Sequence, residues 1–154
     1  MADDASPRRR LLAVLAVGLV PWTVVLVREP TFVFSFGLVS LDPFHLTNVY
    51  EFLFVYTEVL PRRLQAWPAG LLLYAGALAS AIGGLRGYED PRLTGGLLAF
   101  AGIAHAQVSY GLFWTYGLPV SELPVLPVGA VASWLVAWWY YWPLARQKGL
   151  APLD

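Results

Sequence analysis

Four long stretches of the chain contain no charged residue and are apolar on all sides. They cover residues 11–27, 67–85, 93–113 and 123–145. Each is close to the roughly 20 apolar residues that a helix needs to cross about 30 Å of hydrocarbon. A core helix of a water-soluble protein would instead alternate apolar and polar faces with a 3.6-residue period. The pattern predicts an all-α fold: an integral membrane helical bundle of four transmembrane helices, forming a single membrane domain over residues 1–154.

The first uncharged stretch has a second interpretation. Arg8, Arg9 and Arg10 precede it, as the basic region of a signal peptide would, and the paired arginines also suggest a twin-arginine export signal. However, the apolar sequence continues from Val17 to Val27 with no small-residue cleavage site of the A-x-A kind. We therefore predict an uncleaved membrane anchor.

Residues 30–66 have a mixed pattern and are predicted to form an outer segment. The run Thr31–Phe36 is rich in strand-favouring residues, and residues 44–60 indicate a helix with a proline at each end. We predict that this helix lies at the outer interface, with Glu51 and Glu58 in water. The alternative is a fifth crossing, which would bury both carboxylates at a cost of a few kcal/mol each.

Basic residues near the ends of the uncharged stretches predict the orientation. With the N-terminus in the cytoplasm, most of the basic residues lie inside, whereas five crossings would divide them equally. We therefore expect a multi-pass protein of the plasma membrane with both termini in the cytoplasm. The inner set is Arg8, Arg9, Arg10, Arg86, Arg92, Arg146 and Lys148, and the outer set is Arg28, Arg62 and Arg63.

The overall composition agrees with a membrane location and excludes several other classes. Hydrophobic residues make up 58% of the chain and charged residues 13%, against about 25% charged in typical globular proteins. Ten basic residues balance ten acidic ones, so no net charge attracts nucleic acid. The absence of cysteine excludes disulfides and thiolate metal sites. The partners we expect are the lipid bilayer and a membrane protein or a second copy of the chain.

His105 is the only ionisable residue within the four predicted spans apart from tyrosines. It could ligate a haem or a metal, or relay a proton. The structural alternative is a neutral imidazole that is hydrogen-bonded inside the bundle. A closed metal site lacks ligands here, and a haem would need His45 or another axial group, although His45 belongs to the outer segment. We therefore predict no metal and no cofactor.

Glu51 and Glu58 are a second candidate for chemistry. Seven residues apart on one helix, their carboxyl groups would lie on the order of 10 Å from each other. They could act as an acid and a base or bind a cation, but a solvated polar face is the simpler interpretation. No catalytic triad, phosphate-binding loop or zinc motif is present, so no catalytic residue is predicted.

Small residues repeat at four-residue spacing on two of the predicted helices. In lipid, helices associate where such residues let the backbones approach closely. These ridges predict close helix packing, either inside the bundle or against the helix of another protein. The residues are Gly76, Ser80 and Gly84 on the second predicted helix, and Gly129, Ser133 and Ala137 on the fourth.

The chain has nine arginines and one lysine, no cysteine and many small aliphatic residues, which suggests a GC-rich genome. Together with the motifs Arg8–Leu12, Val20–Trp22 and Leu41–Pro43, it resembles small archaeal membrane proteins of halophiles that have no assigned function. One such family is named for lying near the gene of archaeosortase A, a membrane transpeptidase that processes the C-termini of surface proteins. The resemblance implies a haloarchaeal plasma membrane and a link to surface-protein processing, and it supplies no catalytic residues.

The function that this pattern favours is that of a non-enzymatic accessory or assembly subunit for a larger membrane partner. The alternative is a small membrane enzyme, a carrier or a haem-binding subunit that uses His105 with Glu51, Glu58 or His45.

Overall fold

The computed structural model describes residues 6–26, 30–41, 43–55, 65–116 and 125–149. The last helical stretch is continuous from Val128 to Gly149 and is called the terminal helix below. In chain order the elements are α1 (Pro7–Leu19), β1 (Thr23–Val25), β2 (Thr31–Val33), β3 (Gly37–Leu41), β4 (Phe44–Asn48), α2 (Val49–Phe54), α3 (Ala66–Gly83) with a 3₁₀ turn at Gly84–Arg86, α4 (Pro91–Tyr116), β5 (Val125–Leu126), and the terminal helix made of α5 (Val128–Val136), a π-helical segment (Ala137–Tyr141) and α6 (Trp142–Gly149).

The prediction of an all-α fold is wrong, because five strands form an antiparallel sheet in the order β4-β3-β2-β1-β5. The predicted membrane bundle of four helices is wrong as well. Within the described residues, two helices are long and apolar enough to cross a membrane, Ala66–Arg86 and Pro91–Trp114. These two correspond to the sequence stretches 67–85 and 93–113.

The first predicted span, residues 11–27, is divided by Pro21. Proline cannot donate a helical hydrogen bond, and it disfavours the helical conformation of the residue before it. Val20 is accordingly extended, with φ −77° and ψ 148°. The β-branched residues Thr23–Val25 then form β1 and pair with β2 on one side and β5 on the other. The remaining helix of 13 residues is about 20 Å long, which is shorter than the hydrocarbon core.

The predicted interfacial helix, residues 44–60, is wrong in its first part, and residues 56–60 lie outside the described residues. Its first five residues are β4, which pairs with β3 from Leu41↔Phe44 to Gly37↔Asn48. A helix begins only at Val49, where the Asn48 side chain accepts a hydrogen bond from the Glu51 amide at 2.7 Å. The strand also contradicts a fifth crossing by a helix that begins at residue 44.

The fourth predicted span, residues 123–145, contains three kinds of backbone structure. Residues 125–126 form β5, and the terminal helix begins only at Val128 and changes to π-helical geometry at Ala137–Tyr141. Pairing of β5 with β1 is the reason for the late start. Residues 123 and 124 lie outside the described residues.

The helices pack around a core that reaches from α1 to the terminal helix. Main-chain hydrogen bonds join this layer to the sheet at Trp22, whose N–H donates to Val33 and whose carbonyl accepts from Gly129. At the opposite end, side chains of the α3–α4 connection and the start of α4 reach the first turn of α1 and the end of the terminal helix. The molecule therefore has a sheet end and a charged end.

Candidate functional site

His105 lies near the middle of α4 in an enclosed part of the helical layer, where it is 1% exposed. The indole of Trp22 covers the imidazole, with ring centroids 3.8 Å apart. On α3, Gly70 approaches so closely that a Cβ there would lie 2.9 Å from both Cε1 and Nδ1 of the imidazole. The imidazole is therefore enclosed by α4, by α3 and by the connection between α1 and β1.

Neither ring nitrogen of His105 has a hydrogen-bond partner among the described residues. The hydrogen bonds expected of a neutral imidazole inside the bundle are therefore not formed with the described residues. A buried polar atom without a partner costs about 1–3 kcal/mol, so such a group calls for an explanation. Trp22 on one face and Gly70 at one edge leave no open approach from those sides for the flat ring of a haem. No group of three potential metal ligands occurs in the part of the chain that the structure describes.

Two hydroxyl groups connect β1 to α4 beside this histidine. Ser109 donates to the main-chain oxygen of His105 at 3.0 Å, and its Oγ lies 2.8 Å from Oγ1 of Thr23. Because the single Ser109 proton is directed at the carbonyl, Thr23 donates and Ser109 accepts. Both residues are buried. This pair holds Thr23, the first residue of β1, against α4. Ser109 lies about 27 Å along that helix from its first residue, Pro91.

A second buried polar cluster lies at the charged end. Nη2 of Arg10 in α1 is 2.8 Å from Oε2 of Glu89, and these side chains are 12% and 3% exposed. Oγ1 of Thr94 lies 2.7 Å from Oγ of Ser80 and 3.4 Å from Oε1 of Glu89. Tyr141 in the π-helical segment is buried, and its hydroxyl interacts electrostatically with Glu89 and Arg10. The cluster therefore joins α1, α3, α4 and the π-helical segment.

This charged-end cluster was not predicted from the sequence. From the sequence, Arg10 is predicted only to be one of the cytoplasmic positive charges, and Ser80 only to be a small packing residue. Glu89 stands in a short connection with Asp90 beside it, which is an ordinary pattern for a solvated loop. No local signal marks its pairing with a residue 79 positions earlier in the chain.

His45 and Glu51 lie far from His105. His45 is an exposed residue of β4, at the edge of the sheet, and Glu51 is in the first turn of α2. Strand β4 is three strands away from β1, or about 14 Å, whereas His105 lies against the residue that precedes β1. The structure therefore does not bring His105 together with His45 or Glu51. Glu58 lies outside the described residues.

The predicted small-residue ridges lie largely at internal contacts. A Cβ at Gly129 would be 2.6 Å from the Cα of Trp22, one at Gly84 would be 2.7 Å from Oε2 of Glu89, and one at Gly76 would be 3.3 Å from Leu97. Ser133 is fully buried, and Ser80 pairs with Thr94. Ala137 is partly buried at the start of the π-helical segment and lines a groove.

Polar and apolar side chains are distributed in an unusual way across the described helices. Apart from the ion pair of Arg10 and Glu89, the buried polar residues are hydroxyl-bearing or imidazole side chains, whereas the exposed surface carries large apolar groups. The buried set is Thr23, Thr94, His105, Ser109 and Ser133, and the exposed set on the four long helical elements includes Leu12, Leu19, Leu72, Phe100, Ile103, Trp114, Leu135, Trp138 and Trp139.

These features define a small α+β protein with an apolar-surfaced helical layer, an antiparallel sheet at one end and a buried ion pair at the other. The chain belongs to the family described as Domain of unknown function (DUF8050), whose model matches residues 1–150. No curated protein and no solved structure matches the chain.

Proposed function

We propose that the protein resides in a membrane and is a non-enzymatic accessory subunit that binds a larger membrane partner through strand β4. The membrane part rests on one observation, the apolar outer surface of α3 and α4. In an 18-residue stretch of each helix, only 28% and 39% of the residues are buried. Leu72 and Phe100 are among the most exposed, at 74% and 62%. Water-soluble monomers rarely expose such continuous apolar surface.

The two ends of the molecule support an orientation in that membrane. The charged end gathers Arg10, Arg92 and the end of the terminal helix that carries Arg146. Basic residues concentrate on the cytoplasmic side of membrane proteins, so this end is placed in the cytoplasm and the sheet at the outer face.

Strand β4 supports the partner-binding part of the proposal. Among the described strands it is the last on one side of the sheet, and all but one of its residues are exposed. Phe44 and Leu46 are 73% and 49% exposed and, two residues apart, project from the same face. Edge strands offer backbone groups to which another chain can add a strand. The resemblance to halophile membrane proteins makes a surface-processing transpeptidase the first partner to test.

Membrane residence is tested by flotation with neutral phosphatidylcholine vesicles after a carbonate wash. The expected result is that the protein remains with the vesicles. A folded monomer recovered in detergent-free buffer would contradict the proposal.

Partner binding is tested by placing a photo-crosslinking residue at Phe44 and, as a matched control, at Tyr88, which is 85% exposed in the connection between α3 and α4. We expect one recurrent membrane protein to be crosslinked from position 44 and not from position 88. The substitution Leu46→Lys should abolish that product without lowering the melting temperature. Equal crosslinking from the two positions would contradict the role of β4.

The rival function is an enzyme or carrier that uses His105. Two substitutions at this residue distinguish it from the proposed accessory role. His105→Leu removes the two unpartnered nitrogens at similar volume and should leave the fold intact, whereas His105→Ala creates a cavity and should cost about 2–4 kcal/mol. If His105→Leu kept its fold and its crosslinked partner but lost activity in the host, the non-enzymatic proposal would fail.

A further inference from the structure

A groove with a volume of about 410 Å³ runs along the outer side of the helical layer, between α4 and the terminal helix. Binding sites for small ligands have volumes of about 300–1,000 Å³. Small residues of α4 form its floor and aromatic residues of the terminal helix form its wall. The floor includes Gly95, Gly96 and Ala99, and the wall includes Trp134, Trp138 and Trp142.

The shape of the groove depends on glycine at position 96. A Cβ at Gly96 would meet no atom within 4 Å, whereas one at the neighbouring Gly95 would be 2.9 Å from the Cβ of Tyr141. Space therefore remains open above Gly96 while the helices touch at Gly95. The wall includes the π-helical segment Ala137–Tyr141, and such segments are rare and occur frequently at functional sites.

One end of this apolar groove carries positive charge. Arg92 lines it, and its Nε donates to the main-chain oxygen of Ala145 at 3.4 Å, which holds the guanidinium across the gap between the helices. The guanidinium of Arg146 lies 5.0 Å from the centre of the Trp142 ring. Two acids precede Arg92: Glu89 is paired with Arg10, and Asp90 accepts a hydrogen bond from the Arg92 amide at 3.0 Å. Apart from the pair of Arg10 and Glu89, the residues named at this end are therefore two arginines and one carboxylate.

We propose that this groove binds an anionic phospholipid, with one hydrocarbon chain on the glycine floor and the phosphate at Arg92 and Arg146. The inference rests on the proposed membrane residence and orientation. Arginine forms charge-assisted hydrogen bonds with phosphate oxygens, and basic pockets between helices on the cytoplasmic side bind anionic headgroups. Charge selects this occupant, because an apolar helix of a partner protein would fill the groove without supplying the negative charge that balances the second arginine.

The test uses the quenching of tryptophan fluorescence, because three tryptophans line the groove. The full chain in neutral detergent is titrated with phosphatidylglycerol or phosphatidylcholine that carries brominated acyl chains. Phosphatidylglycerol should quench saturably, at concentrations at least about tenfold lower than phosphatidylcholine, because phosphatidylcholine has the same phosphate but its choline cation cancels the net charge that the two arginines attract.

Three variants locate the effect. Gly96→Leu fills the open space and should remove saturable quenching by both lipids. Arg92→Gln should remove the preference for phosphatidylglycerol and keep the weaker quenching. Arg8→Gln removes an exposed arginine from the same end of the molecule and should behave as the wild type. Thermal unfolding checks that each variant is folded.

The groove proposal would be overturned if the wild type responded equally to the two lipids, or if Gly96→Leu were folded and quenched like the wild type. The flotation experiment with neutral vesicles separates this failure from that of the proposed membrane residence. A protein that floats but shows no preference for the anionic lipid contradicts the groove alone, whereas a protein that does not float contradicts the membrane location.

Discussion

Replacing Gly129 by alanine tests the contact on which the junction between sheet and helices depends. The added Cβ would lie 2.6 Å from the Cα of Trp22 and 2.8 Å from its Cβ and Cδ1. These distances are shorter than the closest approach of two non-bonded carbon atoms. Trp22 cannot easily move away. Its N–H donates to Val33 at 2.6 Å, its carbonyl accepts from Gly129 at 2.9 Å, and its indole N–H donates to Val17 at 2.9 Å.

The expected loss of folding stability follows from this geometry. Forcing extra atoms into a packed interior destabilises proteins by about 1–3 kcal/mol. For a chain of this length, each kcal/mol lowers the melting temperature by roughly 2–4 °C. Gly129→Ala should therefore lower it by roughly 2–12 °C. Gly96→Ala is the matched control, because it places the same methyl group in open space and should stabilise its helix by about 0.5–1 kcal/mol.

The assay is thermal unfolding of both variants and the wild type in one detergent, followed by far-ultraviolet circular dichroism and by tryptophan fluorescence. The order of melting temperatures should be Gly96→Ala, then the wild type, then Gly129→Ala. If Gly129→Ala melted at or above the temperature of the control, the close approach of the terminal helix to Trp22 would be refuted.

Three further predictions concern the buried polar contacts. Glu89→Gln leaves the buried arginine partner uncompensated and should cost about 3–5 kcal/mol, whereas the exposed control Arg8→Gln should change stability by less than about 0.5 kcal/mol; equal effects in denaturant titrations would contradict a buried pair. Thr23→Val and Ser109→Ala should show a coupling of about 0.5–1.5 kcal/mol in a double-mutant cycle, and strict additivity would refute their hydrogen bond. Tyr74→Phe removes a buried hydrogen bond to the main chain of α1 and should cost about 1 kcal/mol by the same titration, so unchanged stability would argue against that bond.

Helices α3 and α4 could be predicted from the sequence because the signal for such helices is local. The stretches 67–85 and 93–113 differ from Ala66–Gly83 and Pro91–Tyr116 by a few residues at each end. Every α-helical hydrogen bond joins residues four apart, so these two apolar runs contain the information that their helices need. The prediction of one helix over residues 11–27 is wrong because the helix ends at Leu19, just before Pro21.

The candidate site was predictable only in part. The sequence singled out His105 because an ionisable residue within a long apolar run is conspicuous. It gave no sign of Trp22 above the imidazole, and it offered His45 and Glu51 as partners that the sheet places elsewhere. The pair of Arg10 and Glu89 was missed, because each residue by itself resembles an ordinary solvated charge.

What the sequence determined by itself is the apolar character of the chain, two of its long helices, and the collection of basic residues near particular helix ends. Only the tertiary structure decided that the segments β1 to β5 form a sheet. Its strands have two to five residues, and each depends on hydrogen bonds to another strand, whereas a helix satisfies its own backbone. β1 pairs with β5 across about a hundred residues, and such a long-range partner leaves no trace in the local pattern.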